Sequence, residues 1–447
     1  MGSEAYAEVS LADIADFRNG KAIPPEKYTP NGKHPVFGSN GQIACSDEVL
    51  CPDPTIVIGR VGAYCGCVHY VPTASWVTDN AIVASPQKGN DLRYLYYLLG
   101  SLELERTAIG SAQPLMTQKG LKVVQTKVPP LPEQKAIAHI LGSLDDKIEL
   151  NRKMNATLEA MAQALFKSWF VDFDPVIDNA LATGNPIPDE LAARAEVRRQ
   201  ALADGTANRE AAKLFPAAFK ETESMGWIPE GWEHNTIGKL IEVTDYVANG
   251  SFASLKANVT LSDDPDYALY VRTTDFKHGF SLSKAKYTTK SSYDFLKKSR
   301  LFGDEIIISN VGDTGTVFRP PVWRGEPMTL GSNAIAVKTA KDCHYFYEYF
   351  RSDFGQHQIS GIVGGSAQPK FNKTDFRSLH LHLPPQQIRK VYCESVECIW
   401  ERHISVLRNN EALTKIRDTL LPKLISGELR IEDAERIADL ETKEISS

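Results

Sequence analysis

Few side chains in this sequence have the company that chemistry needs. Cys65-Gly66-Cys67, with Cys45 and Cys51 upstream, suggests zinc. Four ligands in paired short spacings are not evident, however, and the seven cysteines read better as buried free thiols in a reducing compartment. His139 and His403 fall within long helical patterns and read as packing or surface residues. Asp145-Asp146 reads as a solvated charge pair on a helix surface. There is no GxxxxGK[ST] phosphate loop, no GxGxxG after a strand, no HExxH and no GxSxG. Arg319-Pro320-Pro321-Val322 lacks the polar amide or acid with which an amino-methyltransferase motif would begin. A chain of this size without a catalytic constellation reads as a recognition or assembly device.

One charge feature remains. The formal net charge is −6, which taken whole argues against nucleic acid. Yet Lys277, Lys284, Lys286, Lys290, Lys297, Lys298 and Arg300 crowd one stretch whose only acid is Asp294. Such a local basic face can bind phosphates in a salt-sensitive way. An ordinary solvated surface would have the same composition.

The elements that must hold these residues come in duplicate. Gly110-Ser111-Ala112-Gln113-Pro114 recurs as Gly365-Ser366-Ala367-Gln368-Pro369, and Pro129-Pro130 recurs as Pro384-Pro385, both at an offset of 255. The same offset superimposes Asn155 on Asn410, Leu158 on Leu413 and Leu165 on Leu420. Upstream the match is weaker: Ile56-Val57-Ile58-Gly59-Arg60-Val61-Gly62 resembles Ile306-Ile307-Ile308-Ser309-Asn310-Val311-Gly312, and Asn80-Ala81-Ile82-Val83 resembles Asn333-Ala334-Ile335-Ala336. Tyr94-Leu95-Tyr96 likewise resembles Tyr345-Phe346-Tyr347. The chain is an internal duplication, each half a globular head followed by a long helix.

The first helix is expected to open at Pro132-Glu133-Gln134, with proline in the first turn. Its apolar seam steps by four and three through Ile137, Leu141, Leu144, Ile148, Asn151, Asn155, Leu158, Ala162, Leu165 and Trp169, the repeat of a coiled coil. The copy carries Tyr392, Val396, Ile399, His403, Val406, Asn410, Leu413, Arg417, Leu420 and Leu424. Two such helices separated by a head should pair antiparallel. An internal two-fold axis near residues 153 and 408 then sets Asn151 opposite Asn410 and Asn155 opposite Val406, and an Asn–Asn hydrogen bond would fix the register. Wet asparagines marking a loose waist are the alternative.

The expected fold class is α+β, with two pseudo-symmetric mixed α/β domains separated by two long antiparallel coiled-coil helices. Residues 1–128 form the first head, 129–172 the first long helix and 173–226 a surface linker with one short helix. Residues 227–383 form the second head, 384–428 the second long helix and 429–447 an acidic, frayed tail. At 447 residues, two or three domains are expected. No run of about 18 apolar residues and no basic-flanked N-terminal apolar segment occurs, so no membrane partner is expected and the cytoplasm is the expected compartment.

With the paired Gly-Ser-Ala-Gln-Pro loops, Pro129-Pro130-Leu131-Pro132-Glu133-Gln134, Ser168-Trp169-Phe170-Val171-Asp172-Phe173-Asp174, Ile228-Pro229-Glu230-Gly231-Trp232 and Leu424-Ile425-Ser426-Gly427-Glu428-Leu429, the sequence resembles the specificity (S) subunit of type I DNA restriction–modification systems. The likeness covers nearly the whole chain, and Pro385-Gln386-Gln387 departs from it at the second proline junction. It implies two target-recognition domains, each reading half of a split sequence in double-stranded DNA, with the helices as a ruler between half-sites about one DNA turn apart. It implies no catalysis and no cofactor in this chain. S-adenosylmethionine would sit on two partner modification (methyltransferase) subunits that methylate adenine, and restriction (motor–nuclease) subunits would join for cleavage. The alternatives are a non-catalytic scaffold bridging two proteins without DNA readout, and a nuclease or methyltransferase with an unrecognised site.

On that resemblance the candidate DNA contacts follow the repeat. Arg60 with Gly62, and Asn310 with Gly312, leave equivalent strands; arginine pairs geometrically with guanine and asparagine with adenine. Gln113 and Gln368 either position the DNA backbone or fix their loops by hydrogen bonds. Arg272, Thr274, Lys370 and Asn372 are further contacts in the second head, and Lys297 and Lys298 are phosphate contacts.

Overall fold

The computed structural model describes residues 6–110, 114–223, 226–281, 284–339, 342–365 and 367–446, with side chains to residue 440. The chain divides into two units that cut across both long helices: residues 1–152 with 409–447, and residues 153–408.

In the first unit the strand Thr55–Gly59 lies inside a four-stranded antiparallel sheet, between Ala81–Pro86 and Val68–Val71, with Ala15–Asn19 at the far edge. Its unbroken apolar run follows from burial on both faces. Ile56 and Ile58 enter one core with Leu95, Leu98 and Leu141, while Val57 enters another with Val71, Val77 and Val83. The second unit repeats this with Glu305–Ser309 between Ala334–Lys338 and Val317–Phe318, and Glu242–Asp245 at the edge. Ile306 and Ile308 face one core and Ile307 the other. Each head is closed at its base by an antiparallel pair, Ala7–Ser10 with Gln125–Val128 and Glu233–Thr236 with His380–Leu383.

The heads differ in what is inserted between the first two strands of the shared sheet. Residues 20–54 help build a three-stranded sheet in the first unit, and the longer stretch 246–304 helps build a five-stranded sheet in the second. The duplication is faint there because the two heads do not share that structure.

The long helices run Leu131–Phe170 and Gln386–Ser426. In the first unit Ile137, Leu141, Leu144 and Ile148 share a core with Leu413, Leu420 and Leu424. Arg417 meets Asp145 (2.8 Å) and Asn410 meets Asn151, so the segments are antiparallel. In the second unit His403 meets Glu159 at 3.0 Å, and the Tyr392 hydroxyl donates to the Ala162 carbonyl. The Asn151 side-chain amide donates to Oδ1 of the Asn410 side chain at 2.8 Å, the expected register bond. Asn155 is instead buried, and neither of its amide atoms has a partner among the described residues.

Each head is clamped to its helix by the same position with different chemistry. Gln134 accepts from Asp91 N (3.0 Å) and donates to the Asn90 side chain and the Pro129 carbonyl. One repeat later Arg389 donates to Asp342 (2.8 Å) and to the Pro384 carbonyl (2.6 Å). Asp91 and Asp342 both stand just before the following head helix, Leu92–Ser101 or Cys343–Arg351.

Three expectations need correction. Residues 173–226 hold three helices, Asp174–Thr183, Ala192–Ala203 and Arg209–Ala212, instead of one in a surface linker. Asp174 and Asp178 are buried there and held in bidentate pairs by Arg194 and Arg198, whose partners lie 20 residues away and escape local pattern reading. The acidic tail is a helix, Ile431–Ser446, with Ala434 in the first core. Its charges lie off the stripe formed by Ile431, Ala434 and Ala438. Asp145 and Asp146 are solvated unequally: Asp145 is half-buried and accepts from Tyr97 (2.6 Å) and Arg417, while Asp146 is exposed, as expected, and takes both ends of Arg93.

Candidate nucleic-acid interface

At the end of each central strand the backbone makes one and the same junction. Arg60 N donates to the Asn80 carbonyl at 3.0 Å, Met116 N to the Arg60 carbonyl at 2.8 Å, and Gly62 N to the Pro114 carbonyl at 3.1 Å. In the second head Asn310 N donates to the Asn333 carbonyl (3.0 Å), Phe371 N to the Asn310 carbonyl (3.1 Å) and Gly312 N to the Pro369 carbonyl (2.8 Å). Isolated bridges Val61–Leu115 and Ile109–Leu115 match Val311–Lys370 and Gly364–Lys370. The segments 114–116 and 369–371, at the end of the duplicated loops, therefore dock onto the duplicated strand exit in both heads.

Gly62 and Gly312 adopt left-handed φ values of 71° and 78°, and a Cβ built on either would meet nothing within 4 Å. The backbone at the junction thus faces open space. The frame is common, but the residue it presents is not: arginine in one head, asparagine in the other.

The side chains are not equally free. Arg60 is half-buried and gives one N–H to the Asp79 carbonyl (3.2 Å), while its Nε is buried without a partner among the described residues. The Asn310 amide donates to the Phe371 carbonyl (3.2 Å), which leaves its carbonyl oxygen and a second N–H for other use. Gln113 lies outside the described residues. Gln368 and Lys370 are exposed on the docked loop.

Two further candidates are engaged in holding the fold. Arg272 bonds Asp275 and the Lys284 carbonyl at the start of the helix Thr273–Lys277. Asn372 caps the helix Lys373–Ser378 by accepting from Asp375 N at 2.9 Å and donating to the Asp375 carboxylate. Thr274 is exposed on the Arg272 turn, and the structure does not bring it to the strand-exit junction through any hydrogen bond among the described residues.

The basic stretch resolves into two classes. Lys277 pairs with Asp313 (2.7 Å), whose carboxyl Lys277 and Thr316 hold below its ordinary range. Lys286 pairs with Asp263, and Lys290 and Arg300 share Asp294. Lys297 and Lys298, exposed on the turn Lys297–Ser299, have no acidic partner among the described residues. Lys284 is exposed as well and likewise has no acidic partner among the described residues.

Sequence reasoning missed Asn80 and Asn333 as parts of the site. Each supplies the carbonyl that fixes the strand exit, and Asn333 does so at φ 69°. The signal was present in the repeat, where both asparagines hold the same place before an apolar strand.

The chain is thus an α+β duplication whose heads repeat one junction, with arginine there in one head and asparagine in the other. The comparisons give its class. The model of the type I restriction modification DNA specificity domain matches residues 3–160 and again 229–397, and the chain belongs to that family. It is 28% identical over 344 residues to the Type I restriction enzyme HindI specificity subunit of Haemophilus influenzae, covering 71% of each chain. It is 38% identical over 373 residues to the Type I restriction enzyme MjaVIII specificity subunit of Methanocaldococcus jannaschii, covering 80% of this chain and 75% of that one. The crystal structure of a type I restriction–modification S subunit from M. genitalium shares the fold, with a TM-score of 0.55, 16% identity and coverage of 95% and 97%. DNA recognition is the family's general function; its members are non-catalytic and carry no cofactor of their own. Among the described residues no helix is long and apolar enough to cross a membrane.

Proposed function

We propose that this chain reads a bipartite sequence in double-stranded DNA, one half per head. It directs adenine methylation by two modification subunits that carry S-adenosylmethionine, and restriction by motor–nuclease subunits. The observation that carries this reading is the shared strand-exit junction with Arg60 in one head and Asn310 in the other. A common backbone frame with a different hydrogen-bonding side chain is what two readers of different half-sites need. Lys297 and Lys298 supply sequence-independent phosphate contacts in the second head, and Gln368 and Lys370 flank the docked loop.

The test separates readout from attraction. In the complex with its modification subunits, Arg60→Ala should cost about 1–3 kcal/mol on the specific duplex and relax discrimination at one base position. Lys297→Ala should weaken specific and random duplexes alike and lower the salt slope by about one. Equal losses on both duplexes for Arg60→Ala would make it a phosphate contact. A wild-type complex with no salt-dependent DNA binding would leave the scaffold reading in its place.

A further inference from the structure

The inserted stretch 246–304 distinguishes the second head, and it carries a residue that the shared frame does not explain. Phe252 has 79% of its surface exposed, the largest value among the exposed large apolar side chains. It opens the helix Phe252–Asn258, which Ser251 caps by accepting from Ser254 N. The turn before it, Tyr246–Asn249, serves as its foot and is anchored. Asp245 accepts from Ala248 N at 2.9 Å and from the Lys373 ammonium at 3.1 Å.

The same foot is tied to the free lysines. The Asn249 carbonyl oxygen accepts from Lys298 N at 2.9 Å, and its amide donates to the Ser299 hydroxyl at 2.8 Å. The Thr244 hydroxyl donates to the Lys298 carbonyl at 3.0 Å. Gly250, at φ 154°, turns the chain from Asn249 towards Phe252 beside Phe295. An exposed aromatic ring is thus mounted, through Asn249, on the turn that carries Lys297 and Lys298. Val247, also exposed, sits on the turn Tyr246–Asn249 that contains Asn249.

We propose that Phe252 is a wedge for duplex DNA, inserted at a base step while Lys297 and Lys298 hold the flanking phosphates. Apolar side chains that unstack a step are used with cationic anchors in this way, and flexible pyrimidine–purine steps yield most readily. Lys297 and Lys298, without acid partners among the described residues, select a polyanion as occupant over an apolar protein surface. The fixed foot matters because a mobile phenylalanine would lose its rotational freedom on insertion. The proposal rests on the DNA reading above and adds a deformation-sensing residue to its second head.

The experiment uses the full chain with its modification subunits and duplexes selected from a random pool, carrying 2-aminopurine at successive steps of the second half-site. The wild type should give a fluorescence rise at one step apart from the target adenine that a modification subunit flips out. Phe252→Ala should abolish that rise and weaken the selected duplex at least tenfold, with random duplex binding within twofold of wild type. Phe252→Leu should restore most of both. Lys297→Ala with Lys298→Ala should weaken both duplexes. A Phe252→Ala complex that binds the selected duplex within twofold, with the same fluorescence, overturns the wedge while leaving DNA recognition intact. Absence of wild-type binding to the pool would instead remove the reading on which the wedge rests, and the wedge with it.

Discussion

Replacing Asn155 by leucine should stabilise the second unit by about 2 kcal/mol, although asparagine there belongs to the most regular repeat in the chain. Asn155 is 6% exposed, and neither amide atom finds a partner among the described residues. Burying an amide without a hydrogen bond costs about 1–3 kcal/mol, and a leucine of similar size adds apolar burial. The transition of that unit should rise by about 4–8 °C. One turn earlier the same change should act oppositely. Asn151→Leu removes the 2.8 Å bond to Asn410 and strands the partner amide, a loss of about 1–2 kcal/mol. Calorimetry of the two single variants checks the pair, and a destabilised Asn155→Leu would mean that the buried amide is satisfied. The register bond therefore resides in one asparagine of the two, and the other is a cost.

Glu348→Gln should stabilise the second unit at pH 8 and leave it unchanged at pH 4. Glu348 is 1% exposed in the helix Cys343–Arg351, and burial pushes its carboxyl up to about 7, against the attraction of Arg351 and Arg319. A carboxyl raised in the folded state holds a proton that the unfolded chain has released. Stability therefore falls as pH climbs from about 4.5 through 7, and is lowest above that window. A neutral amide removes the dependence, a gain on the order of 3 kcal/mol at pH 8. On the acid side two histidines contribute, beside carboxyls held low such as Glu159 and Asp313. Burial, then Arg319, draws His344 down to about 3, and burial, then His234 and Lys220, lowers His382. Both must charge on unfolding below about pH 6.5, so stability falls as the solution is acidified. Melting curves from pH 4 to 9 should show the alkaline limb flatten in Glu348→Gln. A parallel shift at every pH would contradict the assignment.

Among the described residues the first head has no such group at this place. The position equivalent to Glu348 is Tyr97, whose hydroxyl donates to Asp145 at 2.6 Å. The second head instead stacks Arg319 on Tyr347 (4.4 Å) and Trp400 (4.2 Å). The two heads reach the same docking onto the long helices by different side-chain chemistry.

That contrast marks how far the sequence could be read. The central strands, the helical seams and the register at Asn151 were legible because apolar periodicity and an ungapped repeat determine them. The docking of segments 114–116 and 369–371 on the strand exits was not legible as contact, since its backbone bonds leave no mark on residue type. The roles of Arg272 and Asn372 were obscured for a related reason. Arginine and asparagine suit DNA bases and equally suit helix starts, and only coordinates show which partner each has taken. The buried pairs Asp174–Arg194 and Asp178–Arg198 were hidden because a charge reads as surface until its partner is placed.

The central claim is that each head reads its own half of one target. Mapping methylated adenines genome-wide, for the complex with the native chain and for one whose residues 227–383 come from a second head of other specificity, tests it most directly. The account predicts a bipartite motif in both maps, with one half identical and the other replaced. A change in both halves together, or a contiguous motif, would contradict it.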